Sequence, residues 1–250
     1  MRSQSTKNRA EGQRLRRMLR FERALWANGV ELVAGIDEAG MSPLAGPVVA
    51  AAVILPVECR LAHVDDSKKL SAERRAELAP LIKAQAIAWA VGIVEPEEID
   101  SLNIYWAGIA AMQRAVEALF PQPLHLLLDA RKLREVALPQ DAIIHGDAKS
   151  LSIAAASIIA KTTRDARMVA YDTHYPGYGF AQHKGYPVKQ HQAALRVLGP
   201  CAIHRRSFAP VREAMVEATE HEPRETYISL DEGVKNLAEL EAGVRAVSEA

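Results

Sequence analysis

Apolar residues fall in short runs along this chain, and the spacing inside each run predicts the element it builds. Residues 31–37 and 47–55 are near-continuous stretches of Val, Ile, Leu and Ala on either side of a turn rich in Gly and Pro, the pattern of two paired strands. A third strand is expected over 85–94 and a compact buried one over 124–128, ending at Asp129. Ile143 and Ile144 make a further short strand just before Asp147. Helical spacing covers 71–84, with Ser71 as N-cap and Glu73, Arg74 and Arg75 on the wet face. It recurs over 96–101, 103–119, 150–173 and 188–198, while 175–187 reads as an aromatic, Gly-rich loop. Three early strands on short connections, followed by strands alternating with helices, predict an α/β fold. The expected form is a mixed sheet flanked by helices, with a small helical part after about residue 160. No internal repeat and no low-complexity tract interrupts this order.

Charge modifies the picture at the two ends. The net formal charge is zero, yet residues 1–25 hold eight Arg and Lys against two Glu, and residues 212–250 hold ten acids against four bases. The expected division is a basic N-terminal helical extension over 1–28, a central domain with its C-terminal helical part over 29–211, and an acidic extension over 212–250. Leu15, Met18, Leu19, Phe21 and Leu25 allow an amphipathic helix packed on the core, and Leu230, Val234, Leu237, Leu240 and Val244 fit an accessory helix in the tail. A basic arm of this kind suits contact with phosphates. No apolar stretch reaches the roughly 18 residues of a membrane span, and the N-terminus has no secretory core. Cys59 and Cys201 have neither the number nor the spacing of a disulfide framework or a metal knuckle, so a reducing, cytoplasmic setting is expected.

The chemistry concentrates in acids. Asp37, Glu38, Asp129 and Asp147 each lie at or just beyond the end of an apolar segment, where ligands collect in open sheets. Hard oxygen donors without a Cys or His cluster favour Mg²⁺ or Mn²⁺ over Zn²⁺. Adjacent residues of a regular strand point to opposite faces, so Asp37 and Glu38 share a site if the strand breaks at Glu38, as Ala39-Gly40 would permit. Two other acids compete for notice: Asp141 reads as a solvated loop residue and Asp165 as a structural ion pair beside Arg164.

The run Gly35-Ile36-Asp37-Glu38-Ala39-Gly40-Met41-Ser42-Pro43-Leu44-Ala45-Gly46-Pro47 resembles the first signature of the type 2 ribonucleases H, bacterial ribonuclease HII in particular. The match fails only at Met41 and Ser42, where that family carries Arg and Gly. Further blocks follow in the family's order: Asp66-Ser67-Lys68-Lys69-Leu70-Ser71, Leu128-Asp129, His145-Gly146-Asp147, Ala155-Ala156-Ser157-Ile158-Ile159-Ala160-Lys161, Tyr178-Gly179-Phe180, His183-Lys184-Gly185-Tyr186-Pro187 and His204-Arg205-Arg206-Ser207-Phe208. The resemblance covers about residues 20–211. It implies a ribonuclease H-like five-stranded sheet with Asp37, Glu38, Asp129 and Asp147 as the catalytic, metal-binding set for Mg²⁺ or Mn²⁺. It also implies an endoribonuclease, expected as a monomer, that cuts the RNA strand of RNA–DNA hybrids and the bond 5′ to a ribonucleotide embedded in a DNA duplex. Altered junction specificity and a lapsed catalyst that only binds duplexes are the alternatives.

Under the same resemblance, Tyr186 packs beside the sugar at the cleavage junction, and the main chain of the Gly40, Met41, Ser42 turn meets the 2′-hydroxyl that distinguishes RNA from DNA. Lys68, Lys161 and Lys184 are the candidates for phosphate contacts. Tyr178 and Phe180 pack the loop down, Ser157 serves close packing, and Arg205 and Arg206 combine pairing at the core edge with backbone contact. If position 42 needs a left-handed backbone, Ser42 costs roughly 1–2 kcal/mol; Pro43 biases it toward extended geometry instead.

Overall fold

The computed structural model describes residues 4–220. The accessory helix expected around Leu230 to Val244 lies outside them. Two helices lead, α1 (Gln4–Met18) and α2 (Arg20–Trp26), followed by the hairpin β1 (Val33–Ala39) and β2 (Val48–Ile54). Next come α3 (Ala72–Gln85), β3 (Ala88–Val94), α4 (Pro96–Leu102) and α5 (Ile104–Glu117), then β4 (His125–Asp129) and β5 (Gln140–Ile143). The long α6 (Leu151–His174) and three shorter helices, α7 (Phe180–His183), α8 (Lys189–Leu198) and α9 (Ala209–Glu220), close the described chain. The last of these runs through position 212, where the acidic extension was expected to begin.

The sheet order is β3-β2-β1-β4-β5, antiparallel across β3, β2 and β1 and parallel across β1, β4 and β5. Its period of two divides the core. Ala34, Ile36, Val48, Ala50, Ala52 and Ile54 face α5 with Leu126 and Leu128. Ala51, Val53 and Leu55 face Ala154, Ala155, Ile158 and Ile159 of α6. The first half of α6 is rich in Ala and Ser, and it lies so close to β1 that a Cβ on Gly35 would stand 2.1 Å from the Ser152 carbonyl carbon. Only glycine at position 35 allows this approach, and it brings Ser157 down to the level of Asp37.

Ser71 caps α3 as expected, accepting from Arg74 N at 3.2 Å. The break between α4 and α5 falls at Asn103, whose side chain accepts from Tyr105 N and Trp106 N. Ile144 stands exposed beyond β5, which ends at Ile143. Asp141 belongs to β5 rather than to a loop, and meets His125 at 3.0 Å.

Candidate active site

Strand β1 does not break at Glu38. Its pairing with β2 runs unbroken through Asp37↔Ala51, Glu38↔Ala50 and Ala39↔Val49. Asp37 therefore falls on the α6 face and Glu38 on the α5 face. They remain close to one region because pairing of β1 with β4 ends at Ile36↔Leu128, leaving the last three residues of β1 beside Asp129 at the tip of β4. Asp147 arrives from the other side, on the short turn Gly146–Ala148 that leads into α6. Gly146 N donates to Asp129 Oδ1 at 2.8 Å, which ties that turn to the end of β4.

The carboxylates feel one another. Burial pushes Asp37 well above the ordinary carboxylate range, the Glu38 charge adds to this, and the Ser157 hydroxyl opposes it. Burial also raises Glu38, with Arg131 pulling the other way, and raises Asp147, with Asp66 and Asp129 contributing. Two cations stand among them. Lys68 Nζ is 3.6 Å from Asp147 Oδ2, and Arg131 Nη1 is 3.8 Å from Glu38 Oε1. Glu38 Oε2 and Arg131 Nη1 are both buried without a hydrogen-bond partner. An orphaned carboxylate oxygen among under-neutralised acids fits a further cation, and the all-oxygen donor set fits Mg²⁺ or Mn²⁺. Among the described residues no three acid, His or Cys side chains enclose a finished cage. Magnesium does not require one, because it binds through one or two carboxylates and keeps room for phosphate oxygens.

The remaining expected contacts are distributed unevenly. Gly40 takes φ +99°, and a Cβ there would meet Arg164 Nε at 2.3 Å and Pro47 O at 2.7 Å. Ser42 is exposed and is not among the residues with positive φ, so no left-handed strain attends the loss of glycine at that position. Met41 lies against Gly108 of α5, where an added Cβ would come within 3.1 Å of its Sδ and 3.2 Å of Arg131 Nη1. Tyr186 is half-buried beneath Lys161 Nζ and the Arg164 guanidinium, 5.5 and 5.9 Å from its ring centre. Lys161 is committed to Asp165 at 2.6 Å, and Lys184 Nζ donates to Ala181 O. Of the three lysines, only Lys68 stands among the carboxylates.

Several contributors carried no local signal in the sequence. Ser157 was expected only to pack; instead its hydroxyl donates to Ser67 Oγ at 2.8 Å and faces Asp37. Asp165 is the structural ion pair expected, with Lys161 and Arg75 as its partners. Arg164 is fully buried and donates to Pro47 O, Lys184 O and Ala45 O, each at 3.0 Å. Arg205, also fully buried, donates to the carbonyls of Gly40, Met41, Gly46 and Pro47. Two guanidinium forks thus hold the signature turn by its main chain. Arg206 is exposed, and its main-chain N–H donates to Asp100 Oδ2 at 2.8 Å.

Comparison with known proteins gives this arrangement its class. The fold superposes on the crystal structure of the ribonuclease H2 from Pyrococcus horikoshii with a TM-score of 0.62 at 24% identity, covering 76% of this chain and 99% of that one. This establishes the type 2 ribonuclease H architecture. The family model for Ribonuclease HII matches residues 34–211. The chain is 64% identical over 208 residues to a ribonuclease HII of an Anaeromyxobacter species, covering 83% of this chain and 66% of that one. It is 62% identical over 216 residues to the ribonuclease HII of Myxococcus xanthus, covering 86% and 74%. The chain belongs to the ribonuclease HII family, and with it to the endoribonucleases, hydrolases of internal phosphodiester bonds. No helix among the described residues is long and apolar enough to cross a membrane.

Proposed function

We propose that the protein hydrolyses the RNA strand of RNA–DNA hybrids and the phosphodiester 5′ to single ribonucleotides in duplex DNA. In this reading Asp37, Glu38, Asp129 and Asp147 hold Mg²⁺ or Mn²⁺ at the open end of β1 and β4. The observation that carries it is the buried, unpartnered Glu38 Oε2, in a site where burial and neighbouring carboxylates raise the proton affinity of Asp37, Glu38 and Asp147. A bound divalent ion there supplies an activated water and neutralises charge on the phosphate. The chain's own residues do the rest. Ser157 presents its hydroxyl oxygen beside Asp37, Lys68 places a positive charge beside Asp147, and the half-buried ring of Tyr186 offers an aromatic surface to a sugar. The buried Arg164 and Arg205 hold the main chain of residues 40–47 rigid, so that the turn meets the 2′-hydroxyl without first being ordered.

A cleavage assay on two substrates tests the reading: a DNA duplex with one embedded ribonucleotide, and a long hybrid, each with Mg²⁺ or Mn²⁺. Both are expected to be cut, leaving 3′-hydroxyl and 5′-phosphate ends, and chelation is expected to stop the reaction reversibly. Asp37→Asn should slow cutting by roughly 10²–10³-fold, the scale of losing one charge-organising group. An Asp37→Asn protein as active as wild type, or wild type inert toward both duplexes, would defeat the assignment.

A further inference from the structure

Beside the carboxylates lies a cleft of about 260 Å³ with a different character. Its walls carry Arg14, Arg17, Arg20, Lys69 and Lys149 against a single acid, Asp65. Three segments supply these residues: the junction of α1 and α2, the loop before α3, and the turn before α6. The cleft is continuous with the catalytic region through the chain itself. Lys69 follows Lys68, while Ala148 and Lys149 on the opposite wall follow Asp147.

The walls are fixed to one another. Arg14 donates to Val64 O at 2.8 Å and pairs with Glu11 at 2.7 Å, which ties α1 to the loop carrying Lys69. Glu22, almost wholly buried, accepts from Ser150 Oγ at 2.6 Å, Ser152 Oγ at 2.7 Å and Ser152 N at 2.9 Å, which ties α2 to the start of α6. These bonds use up Arg14 and leave the other charges standing. Arg17 and Arg20 are exposed and make no ion pair with a described carboxylate, and Lys149 only donates to Ile144 O. Lys69 meets Asp65 loosely, at 3.4 Å. Like charges held close on rigid walls repel one another, and an anion in the cleft relieves that repulsion.

We propose that this cleft is a phosphate-binding site for the same duplex, taking the sugar–phosphate backbone that flanks the bond being cut. Its walls continue along the chain into Asp147 and into Lys68 beside it, so it would receive a neighbouring stretch of backbone whenever a phosphodiester lies over the acids. The inference rests on reading those acids as the nuclease centre. The N-terminal helices are then part of the substrate track, contributing affinity without reading base or sugar.

The test is equilibrium binding of the full chain, in chelator so that nothing is cut, to a labelled hybrid and to an all-DNA duplex of equal length across a salt series. Arg17→Ala with Arg20→Ala should weaken binding of both duplexes about tenfold at low salt. It should also make the dependence of log K on log salt shallower, by about 0.9 for each phosphate of the DNA duplex that the variant no longer neutralises. Lys149→Ala, on the opposite wall, should act in the same direction. Arg17→Lys with Arg20→Lys should retain most of the binding, and in cleavage the Ala variants should raise KM while leaving kcat unchanged. Affinities within twofold of wild type with an unchanged salt slope overturn the proposal. Wild type that binds both duplexes yet cuts neither overturns the nuclease reading alone, since the two slopes still report on the cleft. Wild type that binds neither overturns both.

Discussion

Met41 and Arg131 occupy one space. The thioether lies in the slot left by Gly108 on α5, and the Arg131 guanidinium reaches the same slot from beyond β4, 3.8 Å from Glu38 and 5.3 Å over the Tyr105 ring. An uncharged side chain at 41 is what lets this cation stand there, because a second guanidinium would be crowded and repelled. Met41→Arg alone is therefore expected to lower both cleavage rate and stability, and adding Arg131→Ala to relieve the loss. A double-mutant cycle on cleavage should show a coupling of about 1 kcal/mol between the two positions; strictly additive effects would mean they do not share the space. Ser42→Gly is a different matter. With no positive φ to accommodate, it gains nothing in the fold and costs about 0.5–1 kcal/mol through added freedom of the unfolded chain, readable as a lower denaturant midpoint.

Among the elements, the signature turn is held by the C-terminal helices rather than by its own sequence. Leu44 N donates to Gly185 O, Gly46 N to Ile203 O and Arg205 N to Leu44 O, each at 2.8 Å, and Leu44 itself packs with Leu195, Val211 and Ala214 of α8 and α9. Burial and the neighbouring Arg164 push the Arg205 pKa down to about 9, which leaves it charged at neutral pH. A charge this deep is tolerable only because carbonyl oxygens surround it. Arg205→Lys keeps the charge but loses the planar fork, so several of these carbonyls go unmet. A destabilisation of about 2–4 kcal/mol is expected, at about 1.5–3 kcal/mol for each charged hydrogen bond removed. Urea melts giving less than about 1 kcal/mol would show that the turn holds itself. None of this was legible locally. The strands and α3, α5 and α6 were, because their apolar period and caps are carried by adjacent residues. So was the placement of Asp37, Glu38, Asp129 and Asp147 on or just beyond short strands, because each follows an apolar run. The forks of Arg164 and Arg205 close onto carbonyls of the signature turn more than a hundred residues away in sequence, and Glu22 finds Ser150 and Ser152 at separations of 128 and 130. No window of sequence contains both ends of such a bond. The expected break at Glu38 failed for a related reason: the partner that keeps β1 extended to Ala39 is β2, and what opens the site is the early end of pairing with β4.

At the scale of the whole molecule, the sheet carries Asp37, Glu38 and Asp129, and the C-terminal helices pack on the signature turn that follows them, so their joint is what stability must protect. That joint contains a row of neutral histidines. His191 Nδ1 must donate to Tyr186 O at 2.9 Å, because a carbonyl can only accept, which leaves Nε2 as an acceptor. His204 Nδ1 accepts from Cys201 N at 3.0 Å, so its proton sits on Nε2 and is donated to His191 Nε2 at 3.1 Å. A proton added to either ring would set two N–H groups face to face. Burial, with His191 beside it, pushes His204 from its usual 6.5 down to about 3, and burial lowers His191 as well. Between those two values the unfolded chain binds a proton at position 204 that the folded one refuses. Stability present above pH 6.5 is therefore lost as the pH falls, by about 2 kcal/mol at about pH 5 from this group alone. The raised carboxylates Asp37, Glu38 and Asp147 act with the opposite sign, so the effect is isolated by comparing wild type with His204→Asn rather than by one titration. Denaturant melts at neutral pH and at about pH 5 should show a smaller acid-linked loss in the variant, by about that amount. Equal losses in the two proteins would place the acid sensitivity elsewhere than in this joint.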